Sequence, residues 1–109
     1  MVTVITGGKG STDRHGVGSK ASGNNAHAEG EATTASGADG SHAEGMNTVA
    51  SGDSSHAEGY GTTASTFYAH AEGDSTTASG QGAHAEGGSY TAASGTYAHA
   101  EGRTGNASG

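Results

Sequence analysis

The twelve residues from Ser41 to Gly52, SHAEGMNTVASG, decide how this chain folds. They contain two similar five-residue units, Ser41-His42-Ala43-Glu44-Gly45 and Thr48-Val49-Ala50-Ser51-Gly52, each followed by a spacer. Both units recur along the 109-residue chain. HAEG begins at His27, His42, His56, His70, His84 and His99, in steps of 15, 14, 14, 14 and 15. Ala-Ser begins at Ala21, Ala35, Ala50, Ala64, Ala78, Ala93 and Ala107, between the HAEG units. The period of about 14 residues therefore splits into halves of about seven, each of the form Ser/Thr/Ala–x–Ala–x–Gly. Gly closes every half from Gly23 to Gly109 except one, where Thr66 stands instead. Fixed self-similarity of this kind marks a stacked-repeat architecture.

Side chains on a strand point alternately to opposite faces. One face of each half then carries only Ser/Thr/Ala, Ala and Gly. The other carries His and Glu in one half, Thr and Ser in the next. Gly at every seventh position and the absence of a 3.6-residue apolar stripe argue against helix. The simplest structure is a flattened coil of two short strands and two turns, with successive coils stacked in parallel and the small face inward. Gly permits the turn, including φ > 0. Extra residues near Ala38–Gly40 and Gly88–Tyr90 fall in turns, where a solenoid tolerates insertion. The expected fold is all-β, a parallel β-roll with about 14 residues per coil and six to seven coils over residues 19–109. Residues 1–18 lie outside the repeat and read as a cap or connector, with Val2-Thr3-Val4-Ile5 as a candidate capping strand.

Composition sets further bounds. Gly contributes 22 residues, hydrophobic types only 29%, and Pro, Cys and Trp are missing, so neither a conventional apolar core nor disulfides can hold the chain. Low hydrophobicity and a net charge of −7 would suggest disorder; the strict repeat overrides that reading. Ten acidic residues and no Lys or Arg lie within 21–102, which excludes a phosphate-binding face and hence nucleic acid. Lys9, Arg14, Lys20 and Arg103 are the only basic residues; the first three cap the acidic column or connect to an upstream domain. No apolar run reaches the length of a membrane span, and the N-terminal MVTVITGGKG has no signal-peptide pattern.

A roll filled with Ala and Ser buries little apolar area against the entropy of ordering each residue, so association with further copies is expected. The repeats resemble the head repeats of trimeric autotransporter adhesins, the YadA-like or Hep_Hag family, over residues 19–109. Ser41-His42-Ala43-Glu44-Gly45 is similar to that family's SHAEG variant, which also occurs in phage and other surface fibres. The resemblance implies a left-handed parallel β-roll packed side by side as a homotrimer. It also implies an adhesive role at a cell surface, or in a phage-like receptor-binding fibre, with a glycan or extracellular-matrix protein as receptor. The family's usual half-repeat carries branched apolar residues where this chain has His and Glu. The family's anchor, neck and coiled-coil stalk have no counterpart here, which makes the chain a head or a fragment.

Stacking aligns His27, His42, His56, His70, His84 and His99 in one column, and Glu29, Glu44, Glu58, Glu72, Glu86 and Glu101 beside it. Like charges about 5 Å apart repel, and histidine is the only cation available to them, with a pKa that a neighbouring carboxylate raises. These twelve residues are the expected trimer interface, as a His–Glu ladder between subunits whose stability peaks at mildly acidic to neutral pH. Two other readings stand beside it. The columns are solvent-facing solubility features, or three His from three chains face an axial ion. Repetition in every coil favours a structural role, so no metal, cofactor or catalytic residue is assigned. HExxH, P-loop and nucleophile-elbow patterns are absent, and the chain is not expected to be an enzyme. Tyr60, Phe67, Tyr68, Tyr90 and Tyr97 sit in or beside turns and are the candidate ligand-binding residues, or else staples between adjacent turns. Thr33, Thr34, Thr48, Thr62, Thr63, Thr76, Thr77 and Thr91 raise an ice-binding alternative, and a passive fibre spacer is the other.

Overall fold

A computed structural model describes residues 12–15 and 18–108. The HAEG halves form five-residue strands: β3 (His27–Glu31), β5 (His42–Met46), β7 (His56–Tyr60), β9 (His70–Asp74), β11 (His84–Gly88) and β13 (His99–Arg103). The other halves form two-residue strands: β2 (Lys20–Ala21), β4 (Thr34–Ala35), β6 (Val49–Ala50), β8 (Thr63–Ala64), β10 (Thr77–Ala78), β12 (Ala92–Ala93) and β14 (Asn106–Ala107). A further strand, β1 (Thr12–His15), precedes them. Long and short strands assemble into two parallel seven-stranded sheets, one on each side of a flat rod measuring 44 × 22 × 10 Å. The chain is thus a β-solenoid of about six turns, each of about 14 residues.

Register follows the repeat. His27, His42, His56, His70, His84 and His99 are paired in one line, and the Ala and Glu of each HAEG form parallel lines beside it. A slip by one residue would turn His and Glu inward and Ala outward, so the alternation itself fixes the pairing. β1 lies in the stretch read as a cap or connector. It pairs with β3, Thr12 opposite His27 and His15 opposite Gly30, and so forms the outermost strand of the long-strand sheet. Val2–Ile5 lie outside the described residues.

The interior is made of small side chains. Ala28, Ala43, Ala57, Ala71 and Ala85 of the long strands face Ala35, Ala50, Ala64, Ala78 and Ala93 of the short ones, all fully buried. The largest fully buried side chains are Thr33, Thr48, Thr62, Thr76 and Thr91, followed by Ser41 and Ser55. The two Ser hydroxyls donate to the carbonyls of Gly37 and Gly52, both at 2.6 Å, and tie the inner strand start to the turn before it. Five of the eight Thr proposed as an outer, ice-binding rank are therefore core residues. Only Thr34, Thr63 and Thr77 face outward, in a line broken by Val49 and Ala92.

The closing glycines serve two different needs. Gly59 and its HAEG equivalents hold φ near +110°, as at Gly59 with +109° and Gly73 with +110°. Gly52 and its ASG equivalents do not. They are buried, and a Cβ at Gly52 would fall on the carbonyl of Thr66 in the next coil. Thr66 brings a Cβ into that column. Its neighbour's ladder bond, Ser65 N–H to Ala78 O, stretches to 3.1 Å against 2.9 Å for Ser51 to Ala64, and its Oγ1 donates to Gly80 O at 2.7 Å. Positive φ also occurs where no glycine marks it, at Asn47, Ser54, Tyr68, Ser75 and Tyr97 among others. Each of these turn residues donates its N–H to a carbonyl of the preceding coil: Asn47 to Glu31 at 2.9 Å, Tyr68 to Asp53 at 3.0 Å, Tyr97 to Gln81 at 2.8 Å. That bond along the stacking axis offsets the strain of the left-handed conformation, which costs about 1–2 kcal/mol per residue.

Candidate functional site: the histidine–glutamate ladder

His and Glu stand at i and i+2 on each long strand, so both project from the outer face while the Ala between them fills the core. The paired register then stacks six His rings. Successive ring centroids are 4.6–4.9 Å apart, and the planes from His42 to His99 lie within 9° of parallel. Only the His27–His42 step is edge-on, at 68°. Each carboxylate between Glu44 and Glu86 spans two imidazoles, one oxygen toward each. Glu58 reaches His56 Nε2 with Oε2 at 3.4 Å and His70 Nε2 with Oε1 at 3.9 Å. Glu72 reaches His70 at 3.8 Å and His84 at 3.4 Å, and Glu86 reaches His84 at 3.5 Å and His99 at 3.6 Å. The His–Glu ladder is thus built between coils of one chain.

Most of these separations exceed a good hydrogen bond. Of the Glu-to-His contacts, His84 Nε2 with Glu72 Oε1 at 3.4 Å has hydrogen-bond geometry. The Nε2 atoms of His42, His56 and His70 are covered by the chain and have no hydrogen-bond partner. The carboxylates and glycines of five coils, Glu44–Gly45 through Glu101–Gly102, line an open groove of about 700 Å³ along the rod.

Charge is handled differently from the sequence expectation. Burial, followed by the neighbouring imidazoles, lowers His42 and His70 below the usual histidine value, outweighing the pull of Glu44 and Glu72. The expected upward shift of His is therefore reversed at these positions. Along the Glu column the carboxyls shift one another in opposite directions. Hydrogen bonds with Glu72 and Glu44, with burial added, push Glu58 up to about 7. Hydrogen bonds from Glu58 and Glu86 pull Glu72 down to about 2. Glu44 is lowered chiefly by its hydrogen bond with Glu58, and Glu86 is raised chiefly by its hydrogen bond with Glu72. From Glu44 to Glu86 the shifts therefore alternate in direction, down, up, down and up.

The five aromatics separate onto two edges. Phe67, Tyr68 and Tyr97 occupy turns that lead into long strands, whereas Tyr60 ends the long strand β7 and Tyr90 lies in the turn that leaves β11. All are 52–79% exposed. Phe67 and Tyr68 have ring centroids 6.2 Å apart. The Tyr97 ring lies over Gly82, where an added Cβ would meet it at 2.6 Å, so Gly82 makes room for that ring. Phe67, Tyr68 and Tyr97 thus share one edge, and Tyr60, beside Met46 in the strand pairing, lies on the other. Among the described residues no helix is long and apolar enough to cross a membrane. Comparison with family models, curated proteins and solved structures returns no match to this chain.

Proposed function

We propose that this roll is a structural adhesion module: a left-handed β-roll that packs side by side as a homotrimer and forms the head of a surface adhesin or receptor-binding fibre. The carrying observation is the exposure of all five aromatics, four on turns and Tyr60 at the end of β7, on a rod whose faces, Met46 and Val49 apart, are small or polar. Tyrosine on a rigid edge offers apolar area with a polar tip, which suits stacking on a sugar or anchoring a protein surface. The fold supports binding by an extended surface rather than catalysis, because its chemistry repeats in every coil and no coil is singled out. In this reading the His–Glu columns from His27 to Glu101 line the contact between subunits, and the molecule acts at a cell surface or on a phage-like fibre. A glycan array and a panel of extracellular-matrix proteins test it. Binding by the wild type, lost in Tyr68→Ala/Tyr97→Ala or in Tyr60→Ala/Tyr90→Ala, supports the assignment and tells which edge binds. No binding to either panel supports a passive spacer. Undiminished binding by both double variants removes the aromatics from the site.

A further inference from the structure

We infer that the His–Glu ladder is a linear array of transition-metal sites, each made by two His and one Glu from adjacent coils of a single chain. Three observations meet. First, five His–Glu–His groups, from His27–Glu29–His42 to His84–Glu86–His99, bring one ligand atom from each member within 4.8 Å of the others. Second, the nine Nε2-to-carboxylate separations fall between 3.3 and 3.9 Å. Those distances are long for hydrogen bonds. Four of them, His27–Glu29, His56–Glu58, His84–Glu72 and His84–Glu86 at 3.3–3.5 Å, match two ligands that share one ion, since donors about 2.0–2.1 Å from Zn²⁺ at a tetrahedral angle stand about 3.3–3.5 Å apart; the other five, at 3.6–3.9 Å, must close slightly on an ion. Third, three of the imidazole nitrogens are turned out of solvent toward the carboxylates without a hydrogen-bond partner, which is the posture of a ligand.

Imidazole with carboxylate selects borderline divalent ions such as Zn²⁺, Cu²⁺ or Ni²⁺ over Ca²⁺ or Mg²⁺. The imidazoles of neighbouring coils need only tilt toward each other about χ2, a soft torsion. Water or the carboxylate of the next coil completes the shell. The ladder also imposes a count. Each Nε2 serves one ion, and adjacent groups share a His, so six His fill at most three separate groups: His27–Glu29–His42, His56–Glu58–His70 and His84–Glu86–His99. The array does not depend on a trimer, because every ion lies between coils of one chain.

The test is zinc sulfate added to the intact chain after a chelator has been applied and dialysed away, with bound zinc measured by atomic emission and the isotherm by calorimetry. Saturation at three ions per chain is expected. The variant His42→Gln/His70→Gln/His99→Gln leaves one His in each group and should bind more weakly by at least the roughly 10–100-fold that loss of a mere outer-shell partner costs. Asp39→Asn removes an exposed carboxylate away from the ladder and should change nothing. If the triple variant does not fold, Glu58→Gln, which keeps shape and hydrogen-bonding capacity, should lower the count from three to two. Retention of less than one ion by the wild type, six ions per chain, or unchanged binding in the variants would overturn the inference.

Discussion

Four glycine-to-alanine substitutions separate the two demands that the coil places on its backbone. At Gly59, φ is +109° and an added Cβ would fall on the Gly73 carbonyl of the next coil. Gly52 has the close approach, to the Thr66 carbonyl, without the positive φ. Gly40 has φ of +85° with nothing within 4 Å, and Gly88 has neither constraint, its nearest neighbour being Asp74 Cβ at 4.0 Å. A strained φ costs about 1–3 kcal/mol, and an overpacked contact about 1–3 kcal/mol. Gly40→Ala and Gly52→Ala should each lose one such amount. Gly59→Ala should lose both, about 2–6 kcal/mol. Gly88→Ala should gain about 0.4–1 kcal/mol by restricting the unfolded chain. Thermal melts followed by circular dichroism read these as shifts of about 4 °C per kcal/mol for a chain of this size. If Gly59→Ala melts no lower than Gly40→Ala, the carbonyl contact between coils contributes nothing and the reasoning fails. Destabilisation by Gly88→Ala would refute it from the other side.

The titrating ladder predicts a domed stability profile in the presence of chelator. Glu58, raised from 4.5 to about 7, contributes stability that is full below pH 4.5 and lost as pH rises through 7. Glu72, lowered to about 2, contributes stability present above pH 4.5 and lost as pH falls through 2. His42 and His70, lowered from 6.5, favour the fold above that value and oppose it as pH falls, so the melting temperature should peak between pH 4.5 and 7. A flat profile from pH 5 to 9 contradicts this, and Glu58→Gln should flatten the alkaline limb. Thr62 Oγ1 is buried without a partner, so Thr62→Val should be neutral or stabilising by about 1 kcal/mol in a urea titration. Thr91→Val should instead lose about 1–3 kcal/mol, because its hydroxyl donates its one proton to Gly102 O at 2.8 Å or Gly88 O at 2.9 Å and accepts from Gly105 N–H at 3.3 Å. Ala57→Val inserts two methyls between sheets that pack on alanine alone and should cost about 1–3 kcal/mol by the same assay; an unchanged midpoint would show the interior to be loose.

Strand identity, register and the inward Ala column were legible because the side-chain period of two and the Ala-x-Gly spacing leave one way to stack the halves. Thr33, Thr48, Thr62, Thr76 and Thr91 were legible in the same way, because each holds the Ser/Thr/Ala position that shares the inward face with Ala and Gly. The left-handed turn residues were hidden: Asn47, Ser75 and Tyr97 share a backbone bond to the coil before, not a residue type. The His and Glu columns could be read directly, but their electrostatics could not. The sequence counts charges, whereas the opposite shifts of Glu58 and Glu72 and the desolvation of His42 depend on stacking distances. The aromatics fall in or beside turns, as their positions next to the closing Gly or Thr suggested, and their division between two edges required the topology.

Light scattering on the purified chain tests the adhesion-module account most directly, because the trimer underlies both the proposed subunit contact and the adhesive role. A mass three times the 10.4 kDa of one chain is the expected result. A single species at 10.4 kDa across the working concentration range would contradict it.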